Sequence, residues 1–287
     1  MANPSGPVCA LAIAMAAALL FGCGDGSRPG VPSPTPPPTA SATAAEQPVP
    51  TATAQARAYA IAISAGHGGP ENAGAVHRNA QGETDLVEKD LTLDVARRLD
   101  GLLRAGGYRT VLIRDGDYSL APTVPGDFAA SVRAESQARA DIANEAGADI
   151  ILAIHFNGSD DATQSGTEVY YNPDRSFGEQ SRVLATSIYD AIVARLRDLG
   201  YDTRQRGAKD DGGTAAAALT GEGHTFLLGE TPGFRWTEMP GMIGEALFAS
   251  NDAEAALLQR DDVLQAIAQA YKDGIDAYFS WLNEQRR

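Results

Sequence analysis

The sequence predicts an α/β fold: a single domain with one mostly parallel, twisted sheet of about six strands and helices on both faces. Three observations carry this. From residue 59 onward, short apolar runs alternate with amphipathic stretches of helical length, the pattern of a sheet covered on both sides. One run, "DIILAIHFN" at 149–157, is apolar almost throughout, which suits a central strand buried on both faces. The part free of Pro-rich sequence, residues 58–287, lies within the size range of a single core.

Taken in order, "YAIAIS" (59–64) stops at glycine and reads as the first strand. Residues 88–105 carry apolar side chains at 91, 95, 99 and 102, the stripe of a helix with one buried face. "YRTVLIR" (108–114) alternates as a strand, 131–147 is a helix closed by glycine, and "GTEVYYN" (166–172) is a strand. Residues 181–199 form a further amphipathic helix before Gly200. After a polar, Gly-rich stretch (205–223) come two more apolar runs, "HTFLLG" and "GMIGEALF", read as strands. The last helix, 262–281, aligns Val263, Ile267, Tyr271, Ile275, Tyr278 and Leu282 on one side.

Residues 1–23 end in Leu20-Phe21-Gly22-Cys23 after an apolar run at 8–21, too short to span a bilayer but the length of a signal-peptide core. This ending resembles the lipobox of bacterial lipoproteins, which implies lipidation at Cys23 and a membrane anchor. Plain secretion and an uncleaved anchor are the alternatives. Residues 24–57 are Pro/Thr/Ala-rich and read as a disordered tether. Cys9 and Cys23 are the only cysteines, so 58–287 has no disulfide, thiol nucleophile or cysteine metal site. The expected location is the cell envelope, outside the membrane or in the periplasm. The net charge of −14 argues against nucleic acid as a partner.

In open α/β sheets, ligands gather beyond the carboxyl ends of the parallel strands. His67 lies three residues past the first strand, and His155 sits near the end of the most apolar one. Glu88 opens the stripe of the first helix and should face the protein, where a lone carboxylate is costly. Two readings stay open for it. Asp85 and Glu88 have the spacing of a capping box, with Asp85 as N-cap; alternatively Glu88 joins the histidines around a metal. Two imidazoles and a carboxylate are the ligand set of catalytic zinc hydrolases, with a fourth position left to water. A base is then needed. Glu245, in "MIGEALFASN", interrupts an apolar run and is the first candidate. Glu168 in "GTEVYY" competes, although strand alternation would place it on a polar face with Tyr170. Glu222, Glu230 and Glu238 rank lower. Of the other histidines, His77 is expected to face solvent, and His224 to be structural at the start of a strand.

"SAGHGGPENAGAV", "EKDLTLDVARRL", "RADIANEAGADIILAIHFN", "GTEVYY" and "MPGMIGEALFASNDAEAALL" occur in this order over roughly 60–285. Together they resemble the zinc-dependent N-acetylmuramoyl-L-alanine amidases of cell separation and sporulation. The resemblance implies Zn²⁺ held by His67, Glu88 and His155, with Glu245 as the catalytic glutamate. It implies hydrolysis of the amide between N-acetylmuramic acid and L-alanine in peptidoglycan, in cell-wall remodelling or cell separation, by a monomer whose activator, if any, is unknown. The alternatives are a zinc peptidase acting on stem peptides and a catalytically silent wall-binding module. The run from His67 to Glu88 is longer than is usual in that family, so "VHRNAQGETD" (76–85) reads as an inserted loop beside the site. The glycines around His67 lack the Lys and Ser/Thr of a phosphate loop and are expected to leave the backbone clear for a bulky glycopeptide. Residues 205–223, continuing to Met239, are a candidate gating element.

Overall fold

The computed structural model describes residues 58–287; the expected leader, its Cys23 and the tether lie outside the described residues. In chain order the elements are β1 (Ala60–Ala65), β2 (Val76–Arg78), β3 (Thr84–Val87), α1 (Glu88–Ala105), β4 (Arg109–Leu112), α2 (Phe128–Glu145) and β5 (Ile150–Asn157). They continue with β6 (Thr167–Tyr171), α3 (Gly178–Asp198), β7 (Gln205–Asp210), α4 (Ala215–Ala218), β8 (Gly241–Phe248), α5 (Asp252–Leu258) and α6 (Asp261–Gln285).

Six strands form one sheet in the order β4-β1-β5-β8-β6-β7. The first four run parallel, β6 runs antiparallel to β8, and β7 follows β6. Every residue of β1 is buried, as expected for a strand with helices on both faces. On one face α1, α3 and α6 pack together around Ile61, Ile63, Leu152 and Ile154. On the other, α2 and the segment before β8 cover Ala62, Ile151 and Ala153. Fully burying each such Leu, Ile or Val contributes about 1.5–3 kcal/mol.

The helices follow their stripes. Leu91, Val95 and Leu99 are buried along α1, with Leu103 rather than Leu102 completing the face. All six apolar positions predicted for α6 are buried. Where α6 crosses α3, a Cβ at Gly274 would lie 2.6 Å from the Ile188 Cα, so this contact admits no side chain there.

Three local expectations are corrected. The Gly-rich stretch begins with a strand, β7, which takes the sheet edge beside β6. "HTFLLG" forms a turn rather than a strand, its Gly229 amide donating to the Thr225 carbonyl. The expected loop at 76–85 is the β2–β3 hairpin; the Asn79 side chain accepts from the Gln81 and Glu83 amides and organises its tip.

Candidate active site

Strand β3 passes directly into α1. Val87 is extended, and no side chain caps the helix. Asp85 therefore lies upstream of the N-cap position, and its carboxylate goes to His77 instead, so the capping-box reading falls. Glu88 is free to turn inward and is 3% exposed. Its Oε2 accepts from the Ala75 amide at 2.7 Å and lies 3.0 Å from His67 Nε2. Its Oε1 accepts from the Phe156 amide at 3.0 Å and lies 3.0 Å from His155 Nδ1. Burial raises the Glu88 pKa, but the two imidazoles outweigh it and hold the carboxyl below the usual range.

His67 stands in the turn after β1 with φ 58, the one non-glycine residue at positive φ among the described residues. That conformation costs about 1–2 kcal/mol for an L-residue, and such strain persists where surrounding contacts impose it. Asn72 Oδ1 sits 2.7 Å from His67 Nδ1, leaving Nε2 toward Glu88. Behind the turn, Arg139 of α2 donates to Ser64 Oγ, the Ala65 carbonyl, the His67 carbonyl and Glu135. His67 is raised in pKa because the bonds to Glu88 and Asn72 overcome burial, whereas burial dominates at His155 and lowers it.

His67, Glu88 and His155 each bring one donor atom within 4.8 Å of the other two. The space they need is secured by two missing side chains. A Cβ at Gly66 would lie 2.4 Å from His155 Cε1, and one at Gly74 2.4 Å from Glu88 Oε2. These glycines make room for the donor side chains themselves, which sharpens the expectation that they clear the backbone for substrate. The donor set and its packing fit a divalent metal ion.

Glu245 on β8 is the register partner of His155 on one side and of Glu168 on the other, so the three residues share one face of the sheet. The two acids have opposite surroundings. Glu168 accepts from Asn157, Arg206 and Lys209, and these bonds keep its pKa low against its burial. Glu245 Oε2 is buried and has no hydrogen-bond partner. Burial pushes its carboxyl well up, and the charges of Glu88 and Glu168 act in the same direction. Such an acid is expected where a group yet to arrive will engage it.

His67, Glu88, His155 and Glu245 line one cavity of about 780 Å³. Its walls are Phe128 and Val132 of α2, Gly213–Ala216 and Leu219 around α4, and Thr225–Leu227, so the candidate gating segment does border the cleft. Glu222, Glu230 and Glu238 are absent from its lining. His77 is bracketed by Asp85 and Asp252 rather than facing open solvent. His224 bridges Asp211 and Asp174.

Asn72, Glu135 and Arg139 did not stand out in the sequence. A signal for the last two exists: an acid and a base four residues apart on the α2 face that also carries Ala140 and Ala143. Asn72 lies in a glycine-rich turn with no period to mark it.

The family model described as N-acetylmuramoyl-L-alanine amidase matches residues 61–277. The chain is 31% identical over 215 residues to the uncharacterized protein YqiI of Bacillus subtilis, covering 75% of this chain and 82% of that one. It is 30% identical over 216 residues to the N-acetylmuramoyl-L-alanine amidase LytC of the same organism, covering 75% of this chain but only 34% of LytC. Among solved structures, the CwlD amidase from Clostridioides difficile, determined in complex with the GerS lipoprotein, superimposes with a TM-score of 0.61 at 23% identity, covering 77% of this chain and 98% of that one. The catalytic domain of CwlV from Paenibacillus polymyxa gives 0.55 at 24% identity, covering 77% and 98%. Both share the fold.

Proposed function

Because the chain belongs to the N-acetylmuramoyl-L-alanine amidase family, we propose that it hydrolyses the amide joining N-acetylmuramic acid to L-alanine, with a zinc ion held by His67, Glu88 and His155 and with Glu245 as general base and acid. The observation that carries the assignment is the unpartnered, buried Oε2 of Glu245 in the cavity lined by those three donors.

Two imidazoles with one carboxylate and no further acidic donor in the group favour zinc over the harder Mg²⁺ or Ca²⁺. When bound, the ion would polarise the amide carbonyl, acidify a water and offset the charge of Glu88 felt by Glu245. Asn72 fixes the His67 ring so that Nε2 is the available nitrogen. Arg139 holds the turn that carries that ring. Glu245 takes the proton of the attacking water and returns it to the leaving amine, a role suited to a carboxyl whose pKa lies above the usual range. Glu168 stays ionised among its three donors and keeps a negative charge beside Glu245. Val132, Leu219 and Phe226 give the cleft apolar walls. In the cell, the reaction belongs to wall remodelling or separation outside the membrane, with Cys23 as the anchor point.

The test is digestion of whole sacculi by zinc-loaded protein, with products read by mass spectrometry. Intact stem peptides freed from glycan are expected. Shortened or merely uncrosslinked stems would instead identify a peptidase, and bound zinc with no product would leave a wall-binding module.

A further inference from the structure

Beside the catalytic cavity runs a second groove of about 410 Å³, lined by Glu71, Ser119, Thr123, Val124 and Phe128 among others. It joins the cavity through Asn72, Phe128, Val132 and Glu135, which border both. Phe128, the first residue of α2, is 72% exposed, the most exposed of the large apolar side chains among the described residues. Val124, 38% exposed, lines the same groove, so the ring of Phe128 is part of a shared apolar face that borders the catalytic cavity.

The groove is rigidly built. Glu135 Oε2 accepts from the Leu120 and Ala121 amides, and the Val124 amide donates to Ser131 Oγ. Ser119 Oγ donates to the Gly68 carbonyl, tying the loop to the turn of His67. Pro122 and Pro125 stiffen the loop between these anchors. A preformed platform loses little entropy on binding.

Its charge selects an occupant. No Lys, Arg or His lines it, while Glu71, Asp127 and Glu135 do. The two halves of the substrate differ in this respect. The stem peptide carries free carboxylates; the N-acetylated sugars are uncharged once the lactyl carboxylate is tied up in the scissile amide. Cations instead occur across the sheet, where Arg206 and Lys209 of β7 flank Glu168.

Resting on the amidase reading, we propose that this groove is the glycan subsite: the N-acetylated sugar strand lies along the 119–127 loop with a ring stacked on Phe128, and the stem peptide leaves toward β6 and β7. The flat apolar face of a pyranose suits the ring face, and the neutral strand avoids the repulsion a carboxylate would meet from Glu71 and Asp127.

Tetra-N-acetylchitotetraose is the probe, titrated calorimetrically into zinc-loaded wild type and Phe128→Ala, alongside an isolated stem tetrapeptide. Steady-state kinetics on sacculi are measured for both proteins. Phe128 is too exposed for its removal to unfold the chain, and circular dichroism checks this. The expected result is chitotetraose binding that weakens about tenfold in Phe128→Ala, stem-peptide binding unchanged, and a KM on sacculi about tenfold higher with kcat retained. A wild type that frees stems normally while Phe128→Ala matches it in KM and in chitotetraose affinity overturns the subsite and leaves the amidase reading standing. Loss of stem-peptide affinity in place of chitotetraose affinity also overturns it, assigning the groove to the peptide. A wild type inert on sacculi counts against the amidase reading, and the chitotetraose titration still decides the subsite.

Discussion

In the His67–Glu88–His155 group, one carboxylate serves two imidazoles; around His224, one imidazole is shared by Asp174, Asp210 and Asp211. Both groups bring three donors within 4.8 Å, so proximity alone does not separate them. Their remaining partners do. Glu88 is held by two backbone amides from fixed positions at Ala75 and Phe156, and the histidines keep nitrogens directed at it. At the other group both ring nitrogens of His224 are taken by aspartates, and Asp211 is further committed to the Thr225 amide and hydroxyl at 2.8 Å. One arrangement converges on a cavity; the other ties Asp211, just beyond β7, to the turn that follows α4.

The strongest way to break this contrast is to remove a donor from the first group. His155→Ala should lose bound zinc and reduce stem release to background, as read by metal analysis and product masses; near-stoichiometric zinc with more than a tenth of wild-type rate would defeat the assignment. Glu245→Gln comes next. It should retain one zinc per chain while kcat falls by about 10²–10⁴, and turnover at the wild-type rate would move the base elsewhere, with Glu168 the next carboxylate to change. Asn72→Ala should weaken zinc binding by about 10–100-fold in chelator competition, the usual consequence of losing a group that orients a metal-binding histidine.

The smallest effect belongs to the second group. His224→Ala should leave zinc stoichiometry and kcat unchanged and cost about 1–2 kcal/mol in denaturant unfolding. If wild type held two zinc ions and His224→Ala one, the distinction between the groups would collapse. The cost should also depend on pH. Burial opposes the charged ring, but bonds to Asp211 and Asp174 outweigh it and raise the His224 pKa on folding. The contribution is thus complete below the unfolded histidine value of about 6.5 and disappears as pH rises through the raised folded value. Stability curves of wild type and variant should converge above that point.

Much of this was legible in the chain itself. Apolar runs and stripes located β1, β5, β8, α1, α3 and α6, because each buries a continuous face whose period survives in sequence. His67, Glu88, His155 and Glu245 could be singled out because each stands just past, at the start of, near the end of or inside such a run or stripe. Their convergence was suggested by the strand-end rule and is seen in the shared cavity. Other features were hidden for physical reasons. β7, "QRGAKD", is a half-exposed edge strand with little apolar content. The run "HTFLLG" looks like a strand locally, yet Asp211 captures its Thr225 and holds the segment in a turn. The pairing of Glu245 with Glu168 depends on β6 running against its neighbour, a fact of topology that no local pattern encodes.

The β2–β3 hairpin carries one more consequence. Its open end is closed at Ala75 and Glu88, where the Glu88 amide donates to the Ala75 carbonyl and the Ala75 amide returns to the Glu88 carboxylate. Everything from Arg78 to Thr84 lies beyond that clasp. Lengthening or exchanging the tip costs little closure entropy and exerts no leverage on the carboxylate. The outer surface of this hairpin can therefore vary by insertion and deletion while the chemistry beneath is insulated from the change.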